Sequence, residues 1–89
     1  MPARHLFVVR CADGSLFTAI TNDPEAAVQE LNAGRGSSYV KARLPVFLAY
    51  SEEYMNEEDA EIRAEQLRRM SREDKERLFA EAVYPLAEV

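Results

Sequence analysis

Tyr39 and Lys41 stand between Arg35 and Arg43 in one short stretch of this chain. An aromatic ring flanked by cations can stack a base and meet a phosphate. Arg10 offers one more cation to such an anion site. The same residues also make an ordinary polar lid. Glu61 and Glu65 are spaced i,i+4, so on a helix they share a face and are the weak candidates for holding a metal. His5 is the only imidazole and Cys11 the only thiol. One histidine without clustered carboxylates is not a metal site, and one cysteine rules out an internal disulfide framework.

The elements that must position these groups are legible from local patterns. Two β-branched and aromatic runs, Leu6 to Cys11 and Ser15 to Thr21, flank Asp13-Gly14, which is a hairpin signal. Alternation in the second run puts Leu16, Thr18 and Ile20 on one face and Phe17 and Ala19 on the other. Asp23-Pro24 starts a helix running to about Leu31 or Asn32, with Ala27, Val28 and Leu31 inward. Gly34 and Gly36 end it. Ser37 to Arg43 reads as a loop that can hold a short turn, and Val46 to Tyr50 as a third strand. Asn56, with Asp59 three residues on, caps a second long helix, and Ser71 opens a third whose stripe is Leu78, Phe79, Ala82 and Val83, ending at Pro85. The order is β-β-α-β-α-α. This predicts an α/β chain of the α+β type, with a three-stranded antiparallel sheet whose faces the helices cover.

The 89 residues are expected to form a single domain, residues 1–89. No apolar run approaches the ~20 residues that cross a bilayer, so no membrane is expected as partner and the cytoplasm is the expected location. Sixteen acidic and eleven basic side chains give a net charge of −5, which argues against the whole surface attracting nucleic acid. Acids crowd the start of the second long helix and arginines its end, as the helix dipole favours.

Several words then carry a resemblance. The chain reads LFVVRCADGSLFTAIT, LNAGRGSSYVKARLP, LAYSEE and RRMSREDK. From about His5 to Leu78 it resembles the short stand-alone members of the GIY-YIG nuclease superfamily, in which the first word reads YVYVLRCADGSLYTGIT. The resemblance implies a three-stranded antiparallel sheet with the first strand in the middle. It also implies metal-dependent cleavage of DNA, by two tyrosines and a glycine in the hairpin, an arginine in the first helix and a metal-binding glutamate in the second long helix. Cleavage needs an activated water, a cation near the developing charge and a metal that polarises the phosphate.

Here the carry-over fails. The tyrosines fall at Phe7 and Phe17, the glycine at Ala19, the arginine at Ala27, the helix-end histidine at Leu31 and the glutamate at Ala64. Phenylalanine keeps the ring and drops the hydroxyl. The expectation is a catalytically inactive GIY-YIG-like domain acting as a binding or interaction module, with no catalytic residue and no cofactor. One alternative is a weak metal-dependent DNA endonuclease with a relocated site at Glu61 or Glu65, using Mg²⁺ or Mn²⁺. The other is nucleic-acid binding without cleavage through Arg10, Arg35, Tyr39, Lys41 and Arg43. A protein partner or nucleic acid is expected. Self-association as a homodimer is also expected, through an open sheet edge or the tail residues Leu86 and Val89.

Overall fold

The computed structural model describes residues 3–81. The expected contacts of Ala82, Val83, Pro85, Leu86 and Val89 lie outside the described residues. The elements are β1 (Arg4–Arg10), β2 (Leu16–Thr21), α1 (Pro24–Asn32), α2 (Ser38–Lys41), β3 (Phe47–Tyr54), α3 (Glu57–Arg69) and α4 (Arg72–Glu81). The strands form one antiparallel sheet in the order β2-β1-β3, with helices on both faces. The predicted class and the central place of the first strand both hold.

Local chemistry builds the hairpin. Cys11 N–H donates to the Ser15 carbonyl at 2.8 Å and Gly14 N–H to the Cys11 carbonyl at 2.9 Å. That is a three-residue loop, Ala12 to Gly14, closed by a glycine at φ +87. Asp13 Oδ1 accepts from both Ser15 N–H and Ser15 Oγ, fixing the turn from outside. Asp23, Asn56 and Ser71 each accept a backbone N–H three residues on and start α1, α3 and α4.

Two regions differ from the sequence expectation. The stretch after Gly36 contains the short helix α2, because Ser37 Oγ accepts the Val40 N–H and Val40 is fully buried. Strand β3 continues four residues beyond Tyr50. Ser51, Glu52 and Glu53 look like loop residues, yet they pair with Phe7, Leu6 and His5 of β1. The register slips once, between Val8 and Val9, leaving Ala49 as the extra residue of a bulge.

Strand β1 is buried on both faces. Leu6 and Val8 join Leu67 of α3 and Phe79 of α4, with Leu16, Ile20, Tyr50 and Tyr54 around them. Phe7, Val9 and Cys11 join Leu31, Val40 and Val46 on the other face, with Phe17, Ala19, Ala27 and Val28 packed alongside. A strand covered on both sides reads as a continuous apolar run, which is what Leu6 to Val9 is. The last turn of α1 is tied to the approach of β3 by Asn32. Its amide donates to the Val46 carbonyl at 3.0 Å and accepts the Val46 N–H at 2.8 Å, as a neighbouring strand would.

Candidate functional site

The sheet face under α1 holds an open cleft of about 400 Å³. Its floor comes from β1 and β2 through Phe7, Phe17 and Ala19, and its wall from α1 through Ala27 and Leu31. Gly36 and Ser37 close one end, beside the Glu30–Arg35 ion pair. Gly36 has φ +103, and a Cβ there would stand 3.2 Å from Leu31 Cδ2, so both backbone and space require glycine. The cleft is therefore apolar inside, with one compensated pair of charges at its rim.

Five of the six positions at which the chain departs from the nuclease pattern, Phe7, Phe17, Ala19, Ala27 and Leu31, meet in this cleft. The sixth does not. Ala64 is fully buried on the same face of α3 as Ala60 and Leu67, and Leu67 packs on Leu6 and Val8 across the sheet from Phe7. A carboxylate at that position would be a buried charge needing a partner.

The proposed residual anion set is dispersed. Arg10 follows Leu6 and Val8 to the α4 face, where it forks onto Glu76 at 2.6 and 2.9 Å. Arg35 is bound by Glu30 at 2.7 Å. Arg43 reaches Asp13 at 3.1 Å and the Tyr39 carbonyl at 2.8 Å, with its guanidinium 3.8 Å from the centre of the Tyr39 ring. Tyr39 also stacks on Phe17 at 6.3 Å. Lys41 is exposed and, among the described residues, has no carboxylate partner. Charge pairing has thus used most of the cations that the sequence grouped together. Its hydrogen bonds to Glu76 hold the Arg10 pKa above its ordinary value, and the Arg35 guanidinium holds Glu30 below the usual carboxylate range.

The metal candidates do not converge either. Glu61 and Glu65 are exposed on α3 and line no part of the cleft. Glu65 is held by Arg69 at 3.2 Å and Arg68 at 3.7 Å. Among the described residues no three histidine, cysteine or acidic side chains gather as a metal would need. With Ala27 and Ala64 in place of the arginine and the glutamate, the residues do not fit the divalent ion the nuclease resemblance implies. His5 sits at the start of β1, between Thr21 and Glu53.

One cluster escaped sequence reasoning. Glu52 on β3 accepts from the hydroxyls of Tyr50 and Tyr54 and from the Arg63 guanidinium of α3, whose Nε lies at 3.1 Å. Burial pushes the Glu52 carboxyl up, but these three partners, Arg63 foremost, hold it below its ordinary value. Burial and the adjacent carboxylate push both phenols up to about 12. All the polar groups satisfy one another, so the cluster fastens α3 to β3. The signal was the alternation Tyr50, Glu52, Tyr54, which puts the three side chains on one strand face.

Fold and cleft together define a small α+β domain, in which a lone three-stranded sheet lies between two helical layers and carries an apolar cleft beside its first helix. Comparison with known proteins narrows this class. No family model matches the chain. It is 37% identical over 75 residues to a UPF0213 protein of Halobacterium salinarum, covering 84% of this chain and 97% of that protein. It is also 37% identical over 81 residues to a UPF0213 protein of Staphylococcus aureus, covering 91% and 99%. The solution structure of a UPF0213 protein from Bacillus halodurans superposes with a TM-score of 0.59 at 25% identity, over 90% of this chain and 85% of that one. A protein of E. faecalis, 22% identical, shares the fold with a TM-score of 0.58 over 88% and 84%. The chain belongs to the UPF0213 family, small bacterial and archaeal domains loosely related to the GIY-YIG-like fold.

Proposed function

We propose that this chain is a non-cleaving binding domain, derived from a GIY-YIG-type nuclease, whose former catalytic cleft receives an apolar group. One observation carries this reading. Phe7, Phe17, Ala19, Ala27 and Leu31 line a single cleft at the positions where such a nuclease keeps its hydroxyls, its cation and its imidazole. A cleft of this size and lining suits an aromatic or branched apolar group. Its one carboxylate, Glu30, and its one cation, Arg35, are tied to each other at the rim, so neither is free to serve a scissile phosphate. Losing even one oriented group of an active site costs several kcal/mol of transition-state stabilisation.

The test has two parts. Purified protein is incubated with supercoiled plasmid and Mg²⁺ or Mn²⁺, and methyl resonances of Ala19 and Ala27 are followed during titration with indole. No nicking and a saturable shift of both methyls are expected. Protein-dependent nicking abolished by Glu61→Ala or Glu65→Ala would replace this reading with a relocated active site. A second reading, nucleic-acid binding without cleavage, is favoured by Lys41, whose charge has no carboxylate partner among the described residues.

A further inference from the structure

Strand β2 is an edge strand, paired only with β1. In the hairpin ladder Ser15 bonds inward to Cys11, so the alternation of an antiparallel pair turns Phe17 and Ala19 inward as well. The N–H and C=O groups of Leu16, Thr18 and Ile20 therefore point away from the sheet. The Thr18 carbonyl confirms the phase, since it accepts from Arg68 Nη2 of α3 at 3.2 Å. Arg72 of α4 donates to the Gly14 carbonyl at 2.7 Å in the same way. Beside this edge lies a second depression of about 330 Å³, lined by Leu16, Phe17, Thr18, Tyr39, Arg68 and Lys75. Lys75 has no carboxylate partner among the described residues.

We propose that the outer edge of β2 accepts an extended acidic peptide as a fourth strand. Three features select this occupant. Open backbone groups at every second residue match a peptide ladder, and nucleic acid has no groups at that repeat. The depression sets an aromatic floor, Phe17 and Tyr39, next to Lys75, unpartnered among the described residues, and Arg68, only loosely paired with Glu65 at 3.7 Å, so an incoming strand can place one side chain on the rings and a carboxylate on the charges. Charge complementarity excludes a basic strand there. A second copy brings its whole net charge of −5 against the same charge here, whereas a short peptide brings its carboxylates only to Arg68 and Lys75. The arginine on Thr18 is a stand-in: a side-chain N–H occupies the carbonyl that a strand N–H would take. The depression lies outside the α1 cleft and shares only Phe17 with it; the strand edge adds Ile20, whose outward backbone groups the ladder uses, so the proposal does not depend on what fills that cleft.

The test uses the full chain and a fluorescein-labelled peptide of alternating valine and glutamate, with a valine–lysine peptide of equal length as control. Amide exchange is mapped by NMR while anisotropy follows binding. The acidic peptide is expected to slow exchange at Leu16, Thr18 and Ile20, and Arg68→Glu and Lys75→Glu should each weaken it by ~tenfold. Thr18→Pro removes only an outward N–H, leaves the β1–β2 ladder intact and should abolish the protection with an unchanged circular dichroism spectrum. Should that variant fold poorly, the charge variants and the exchange map decide alone. Unchanged exchange at these three amides under millimolar acidic peptide overturns the proposal. So does equal binding of the lysine peptide, the same protection produced by short duplex DNA, or protection that rises with protein concentration alone.

Discussion

At the scale of single residues, exposure of the groups decides which charges matter. Glu52 is held by two phenols and a guanidinium at a side-chain exposure of only 17%. Glu52→Ala leaves Arg63 and both hydroxyls without their acceptor, and should cost about 1–3 kcal/mol, measured by urea unfolding. Above about pH 10 the same cluster loosens. Tyr50 and Tyr54 have folded pKa values of about 12 against 10 free, so their contribution is complete below 10 and is lost as pH rises through 12. Glu76 behaves oppositely. Hydrogen bonds from Arg10 and then Arg72 lower its pKa from 4.5 to about 2, so its contribution is present above 4.5 and disappears as pH falls to 2. Acid unfolding followed by circular dichroism should therefore show a smaller loss of stability between pH 4.5 and 2 in Glu76→Gln than in the parent.

At the scale of elements, what the sequence disclosed was whatever depends on neighbours three or four residues away. Asp13-Gly14 specifies its turn, and Asp23, Asn56 and Ser71 specify their helix starts, by bonds to the next turn of chain. The far end of β3 was hidden, because nothing local marks Ser51-Glu52-Glu53 as strand: its partners are Phe7, Leu6 and His5 of β1, and Glu52 meets Arg63 eleven residues on. The basic residues lie on different faces of the sheet for a related reason. Arg10 is two residues from Val8 and must share its face, whereas Tyr39 packs on Phe17 across the sheet. Period-two alternation contained that answer. Likewise Ala27 could be placed beside Phe17 by motif, but the side on which Ala64 lies depends on how α3 crosses the sheet. Asn32 was also invisible, since nothing local marks it as a substitute strand. Asn32→Ala removes two part-buried hydrogen bonds to Val46 and should cost about 1–3 kcal/mol. Faster exchange of the Val46 amide, with that of Val8 unchanged, would localise the effect to the α1–β3 junction.

For the whole molecule, the acidic balance and the local cations pull in different directions. A phosphate polymer meets a net repulsive field at a distance and finds Arg10, Arg35 and Arg43 already paired on arrival. Binding of short DNA in fluorescence anisotropy is therefore expected to be weak at low salt and lost at moderate salt, with a shallow salt slope. Lys41→Glu should abolish what remains and Arg69→Glu should not. Tight, salt-steep binding would favour the nucleic-acid reading of this domain. Among the described residues no helix is long and apolar enough to cross a membrane.

The placement of β1 between its two neighbours has a bearing on how the protein is born. Synthesis delivers Leu6 to Val9 before every element that covers them; β2 and α1 follow soon, but the edge that β3 takes and the face that α3 and α4 cover wait longer. The nascent chain must present Leu6 and Val8 until α4 has been made. Folding is then a single late event rather than a growth from the front, and this interval is when the protein most needs a chaperone.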